Sequence, residues 1–253
     1  MSQSGNAAVY FVDRHIAEGR GDKTAFIESG EKARRLSYGE LCERSACVAH
    51  ALRRAEIAPE ERAIMLVLDQ IEFPEIFWGA LKAGVVPVPL NTLLASSVYE
   101  AIFKDSRASA IFVSQELWDV AAPAIAVSPY LRHVVVIGDK ARDGAQSYDD
   151  FMADTKPLPT IEASQDDTAF WLYSSGSTGQ PKGVRHVHGA LRATSDTYGA
   201  QVLKINEDDV ILSAAKLFFA YGLGNGMTFP MSVGATAILF AGRPTPDGMC
   251  NTL

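Results

Sequence analysis

Short, unbroken apolar runs recur along this chain, separated by stretches whose apolar residues return at helical spacing. The clearest run is "AIMLVL", Ala63–Leu68. Successive strand side chains point to opposite faces, so an all-apolar strand needs cover on both faces. Further runs occur at Val85–Leu90, Ala110–Val113, Val134–Ile137 and Ala169–Tyr173, with later apolar segments at Val210–Ser213, Thr228–Met231 and Ala235–Phe240. Strands of this kind alternating with amphipathic helices predict an α/β fold: layered, largely parallel sheets flanked by helices. Pro87 and Pro89 are awkward in a central strand, which makes Val85–Leu90 an edge strand or a short extended piece.

The intervening helices carry start and stop signals. Ser37 and Glu40 form a Ser-x-x-Glu capping box, and Leu41, Val48, Ala49 and Leu52 follow at helical spacing, predicting a helix over Tyr38–Arg54. Gly84 is a natural stop for a helix over Glu72–Ala83. Ser97 with Glu100 reads as a second capping box, and Ser114 as the cap of a helix over Gln115–Ala126. Ala25–Glu28 and Arg34–Leu36 flank a Ser29-Gly30 turn, a hairpin signature. Helices are also expected over Tyr148–Ala153 and Gly189–Leu203. After Phe240 the chain reads "AGRPTPDGMCNTL", without periodicity, where a parallel strand would lead into a crossover helix.

With 253 residues, 47% of them hydrophobic, the chain can bury a sizeable core. A net charge of −7 argues against a nucleic-acid or anionic-membrane surface. No apolar run approaches the roughly 18 residues of a membrane span. Three cysteines, Cys42, Cys47 and Cys250, do not make a disulfide framework and read as buried or idle thiols. With no signal-peptide pattern at the start, a cytoplasmic protein is expected. His15, His50 and His133 have no evident partners. His186 and His188 would share a strand face but lack further ligands for a metal. Asp166-Asp167 and Asp208-Asp209 read as solvated charges or caps.

The chemistry concentrates in "WLYSSGSTGQPKGVRHVHG", Trp171–Gly189. Glycines let backbone N–H groups surround a phosphate; hydroxyls add donors and a lysine adds charge. The candidate phosphate-binding set is Ser174, Ser175, Gly176, Ser177, Thr178, Gly179 and Lys182, in a loop over Ser174–Pro181. Gly183 follows the lysine, so the spacing is not that of G-x-x-x-x-G-K-[ST].

"YSSGSTGQPKGV" resembles the phosphate-binding signature of the acyl-adenylate-forming (AMP-binding) superfamily. "LSYGEL" and "GVRHVHGAL" resemble other elements of that family, and the likeness runs over about Ala8–Pro246. "AAKLFFAYGLGNGMTFPM", Ala214–Met231, is similar to the substrate element of benzoate- and hydroxybenzoate-CoA ligases. The resemblance implies an aryl-acid pocket at Phe219, Ala220, Tyr221 and Gly222, with Gly222 and Gly224 keeping it open. It implies ATP, Mg²⁺ and CoA as reactants and cofactor, a small aromatic carboxylate as partner, and a tentative metal-shell role for Thr178. It also implies two subdomains, about 8–165 and 166–253. The family's adenine, ribose and catalytic-lysine segments do not occur in this sequence. A truncated or frameshifted ligase, inactive by itself, is therefore expected, with exposed apolar edges and no catalytic residue of its own. Fatty, cinnamic or heterocyclic acids are alternative substrates. A non-catalytic fragment that binds nucleotide or aromatic acid is an alternative role, and an unrelated phosphate-binding α/β protein a remoter one.

Overall fold

A computed structural model of the chain describes residues 4–30, 33–139, 142–175 and 181–252. A π-helical turn, Val9–Asp13, runs into α1 (Arg14–Ala17). The expected hairpin follows: β1 (Thr24–Glu28) pairs antiparallel with β2 (Arg35–Ser37). Helix α2 (Tyr38–Arg54) begins at the capping box, with Glu40 N donating to Ser37 Oγ at 3.1 Å and Ser37 N donating to Glu40 Oε2 at 2.7 Å.

β3 (Arg62–Leu66), α3 (Glu72–Ala83) and β4 (Val86–Pro89) come next. Gly84 ends α3 with a left-handed φ of 76°, which glycine adopts without steric cost. β4 lies at the edge of a parallel sheet ordered β4-β3-β5-β6-β7. The N–H groups of Val86 and Leu90 reach Glu61 O and Met65 O across the ladder. Pro87 and Pro89 alternate with them and face the side toward β8, which packs against β4 without a ladder, so no donor is required there.

α4 (Ser96–Ser106) starts one residue earlier than its apparent cap, after an extended Ala95 that makes no side-chain cap. Ser97 already lies inside the helix, so the second capping box does not form. β5 (Ala110–Ser114) leads through a 3-10 turn, Gln115–Leu117, into α5 (Trp118–Val127). Ser114 does not cap that helix. Its hydroxyl accepts from Leu68 N at 3.0 Å and ties β5 to the end of β3 instead. β6 (His133–Ile137), the short β7 (Gln146–Ser147) and α6 (Tyr148–Met152) complete this layer.

β8 (Thr168–Ser175) and β9 (Pro181–Val187) form a separate antiparallel pair. α7 (His188–Thr194) continues as a π-helix, Ser195–Leu203. After β10 (Val210–Leu212) come α8 (Ala220–Leu223), a π-helical turn Gly224–Thr228, and α9 (Phe229–Val233). The apolar Thr228–Met231 stretch is thus helical, ended by Gly234 at φ 79°. β11 (Thr236–Leu239) closes a four-stranded sheet ordered β10-β11-β1-β2, in which β1 and β11 are parallel. Strands from both sides of residue 165 therefore share one sheet. The aperiodic end contains a short helix, α10 (Pro246–Cys250), begun by Thr245 Oγ1 accepting from Gly248 N at 3.2 Å.

The main core runs between the sheets. Trp78 on α3 is fully buried, stacked on Phe11 at 5.3 Å and edge-on to Phe77 at 5.1 Å. Glu75 is buried beside it and is satisfied by Arg44 and by Tyr148 Oη, which donates to Glu75 Oε2 at 2.9 Å. Cys42 and Cys47 are half-buried and Cys250 is exposed, all three as free thiols. Among the described residues no helix is long and apolar enough to cross a membrane.

Candidate functional site

The glycine-rich loop is carried by the β8–β9 hairpin. Ser174 lies opposite Lys182 and Ser175 opposite Pro181, so these residues are the last rungs of the ladder rather than loop. Gly176, Ser177, Thr178 and Gly179 lie outside the described residues. Lys182 is exposed, and so are Gly183, Val184 and Arg185. Directly opposed residues share a face, so Ser174 and Lys182 present a hydroxyl and an ammonium together at the base of the loop. Gly183 sits against two aromatic rings: a Cβ there would come within 3.2 Å of Tyr173 and 3.3 Å of Trp171.

Two further contacts hold the hairpin. Tyr173 Oη donates to Asp105 Oδ2 of α4 at 2.6 Å. Burial first, and then the Asp105 charge, push the Tyr173 phenol well above its usual range. His186 stacks on Phe170 with ring centroids 4.6 Å apart, and burial lowers its pKa. His188 opens α7 and is buried. Its Nδ1 accepts from Ala7 N at 3.1 Å, which fixes the neutral tautomer with the proton on Nε2, and burial takes its pKa down to about 4. Neither ring is arranged as a metal ligand. Among the described residues no group of three His, Cys, Asp or Glu side chains could hold a metal ion. The aspartate pairs act as turn caps: Asp167 accepts from Ser164 N and Asp209 from Asn206 N, both at 2.8 Å. His15 does have partners, contrary to expectation: its Nε2 lies 2.8 Å from Met231 O and its ring 4.1 Å from Tyr38.

A cleft of about 660 Å³ opens at the base of the hairpin. One wall is Asn91, Leu94, Val98 and Ile102, leading into and along α4; the floor comes from the hairpin, including Ser174, Pro181 and His186; the other wall is Phe218, Phe219 and Ala220. Its size falls in the range of small-molecule sites, and its lining is apolar with a few polar groups and no carboxylate. Phe218 and Phe219 lie 4.5 Å apart, tilted by 54°. Phe219 and Ala220 therefore reach the cleft. Tyr221 is 66% exposed, and neither it nor Gly222 is among the lining residues. The missing side chain of Gly222 makes room for Lys216 O, which a Cβ would approach to 2.0 Å, and that of Gly224 makes room for the Phe229 ring at 2.7 Å. These glycines permit close packing rather than keeping a pocket open.

The α4 wall was not legible in the sequence. Asn91 to Ile102 precede Phe218 by more than a hundred residues, and only the tertiary fold brings them together. A second cleft, of about 710 Å³, is lined in part by Asp13, Glu40, Glu43 and Cys42. Its carboxylates would repel an acid substrate, and Lys82 at its base is already paired with Asp13 at 2.6 Å.

The parallel sheet, and the hairpin that carries the glycine-rich segment beside an apolar cleft, define an α/β protein with a small-molecule-sized cleft at the hairpin's base. The family model for AMP-binding enzymes matches residues 13–253, and the chain belongs to that family. It is 45% identical over 98% of its length to a 4-hydroxybenzoate–CoA/benzoate–CoA ligase of Rhodopseudomonas palustris, and 46% identical over 98% to a benzoate–CoA ligase of Thauera aromatica. Among solved structures it resembles a benzoate CoA ligase from Burkholderia xenovorans LB400, with 41% identity, TM-score 0.87 and 97% of this chain covered. It also resembles an anthranilate CoA ligase in complex with anthranoyl-AMP, with 32% identity, TM-score 0.90 and 96% covered. The matches cover 45% and 46% of the two ligases and 47% and 46% of the two solved chains, so this chain spans about half the length of its relatives.

Proposed function

We propose that this chain carries the aryl-acid pocket and the nucleotide-phosphate loop of an acid–CoA ligase acting on a benzoate-like carboxylate. One observation carries the reading: the apolar cleft is lined by Ser174 and Pro181, which belong to the last two rungs of the ladder that carries the glycine-rich loop. An aryl ring held between Ile102 and Phe219 would direct its carboxylate toward a nucleotide held by that loop. The carboxylate oxygen would attack the α-phosphorus of ATP and pyrophosphate would leave. The CoA thiol would then attack the acyl carbon, and AMP would leave.

The contribution of these residues is placement and charge neutralisation of two anions. Lys182 and the hydroxyls of Ser174, Ser175, Ser177 and Thr178 would contact the phosphates, with backbone N–H groups of Gly176 and Gly179. Mg²⁺ would accompany the nucleotide and offset phosphate charge, with Thr178 the tentative hydroxyl beside it. Phe219 and Ala220 would contact the ring. Tyr221 and Gly222 belong to the same element, and we assign them to shaping it from outside the cleft. The cytoplasm, where ATP and CoA are available, is the setting this reaction requires.

The test is saturable benzoate binding, followed by saturation-transfer NMR and repeated with Ala220→Trp, which fills the cleft. The reading expects binding that this substitution abolishes. Absence of saturable binding, or binding indifferent to it, overturns the assignment of the cleft.

A further inference from the structure

Lys216 and Asp69 form a largely buried ion pair, and neither is among the residues lining the cleft. Asp69 follows β3, and only 6% of it is exposed. Its Oδ2 lies 3.6 Å from Lys216 Nζ, and its Oδ1 accepts from Leu217 N at 3.3 Å. The Lys216 ammonium also donates to Phe240 O, just past β11, and lies 5.3 Å from the Phe240 ring. Lys216 thus joins the ends of strands from the two main sheets. Burial works against both charges, raising Asp69 to about 6 and lowering Lys216.

The backbone of Lys216 is also the foot of the cleft wall. Its carbonyl accepts from Phe219 N at 3.0 Å and packs against Gly222, while Leu223 N donates to Phe219 O at 2.7 Å. The turn from Lys216 to Leu223 is therefore a stiff unit, and Phe218, Phe219 and Ala220 move with it. A buried ion pair is poor value as stability alone, since an apolar pair of similar volume is often as stable. What the ionic pair adds is direction: a carboxylate that accepts from the backbone of the next residue fixes where the wall begins.

We propose that Asp69 and Lys216 are positioning residues that set the Phe218–Ala220 wall of the cleft. The proposal rests on the reading of that cleft as an aryl-acid site. The charged groups nearest Asp69 across its small cavity, Glu28 and Arg34, are already paired with each other at 2.8 Å, and Arg34 also reaches Glu72 at 2.6 Å. They leave Lys216 as the partner of Asp69.

The test uses the whole chain with two readouts: amide hydrogen exchange over 217–223, and the dissociation constant for benzoate by NMR titration. The variants are the apolar replacement Asp69→Leu with Lys216→Met, and the conservative Lys216→Arg. The double variant should melt close to the unmodified chain. Its exchange over 217–223 should accelerate, and its benzoate affinity should fall, each by about tenfold, the scale of losing hydrogen bonds to charged groups. Lys216→Arg should stay within about twofold on both. A folded double variant with unchanged exchange and affinity overturns the proposal. If the double variant does not fold, Lys216→Gln against Lys216→Arg makes the same comparison, and equal behaviour of those two overturns it. If the unmodified chain binds no benzoate, the aryl-site reading fails, and the exchange readout still decides whether the pair sets the wall.

Discussion

The five-stranded sheet and the β8–β9 hairpin are built on opposite terms. Every residue of β4 and β5 is buried, and β3 is buried from Ala63 to Leu66. In the hairpin, β9 exposes Lys182 through Arg185 in succession. The sheet is held by packing that no single polar group supplies. The hairpin enters the core only through β8, with Ala169, Phe170 and Leu172, is tied to α4 by Tyr173 to Asp105, and turns Lys182 through Arg185 of β9 to solvent. The central strands of the sheet are buried, whereas the hairpin joins a core-facing strand to an exposed one, the usual contrast between scaffold and surface segment.

Substitutions can sharpen or break that contrast. The largest effect is expected from Trp78→Ala, which empties the space between Phe11 and Phe77. Chemical denaturation should report a loss of about 3–5 kcal/mol, and a loss below about 1 kcal/mol would mean that the sheet core is not the scaffold.

Acid should act next, where hairpin and scaffold meet. The folded-state pKa values of His188 and His15 are lowered from 6.5 to about 4, both by burial first. The unfolded chain takes up these protons first. The stability they contribute is therefore present above pH 6.5 and lost as pH falls toward 4. The sum should be roughly 2–5 kcal/mol. Asp69 has the opposite sign: raised from 3.8 to about 6, its contribution is present below 3.8 and lost as pH rises through 6. His188→Asn, whose amide oxygen can still accept from Ala7 N, should flatten the acid slope in equilibrium unfolding measured at successive pH values. An unchanged slope would rule His188 out as its source.

Ser37→Ala removes one cap from α2 and should cost about 1 kcal/mol, read as a shift in denaturation midpoint. Arg185→Ala on the exposed strand should change stability by less than about 0.5 kcal/mol. A cost comparable to Trp78→Ala would erase the distinction between the two regions.

The same division explains what could be read in advance. α2 and α3 were legible to the residue because their ends are decided locally, by Ser37 with Glu40 and by Gly84. Ser97 and Ser114 carry the same vocabulary but answer to tertiary neighbours. Ser97 falls inside its helix, and the Ser114 hydroxyl is taken by Leu68 N from another strand. The family signature was legible because it lies in contiguous residues, Tyr173 to Val184. The cleft was half legible: Phe219 and Ala220 lie in a recognisable element, whereas Asn91, Leu94, Val98 and Ile102 join them only when α4 packs beside the hairpin. Tyr221 reads as a pocket aromatic and points elsewhere, because the turn at Lys216 rotates it into solvent.

The parallel pairing of β1 with β11 has a consequence for synthesis. Phe26 is registered against Ala237, so β1 leaves the ribosome about two hundred residues ahead of its parallel partner and waits for it. At ordinary elongation rates that interval is on the order of 10–40 s. Throughout it, the β1–β2 hairpin presents an unpaired edge, while the β3–β7 layer can assemble from contiguous sequence. Contact order is thus unevenly distributed, and the residues of β1 are among the last to reach their final neighbours.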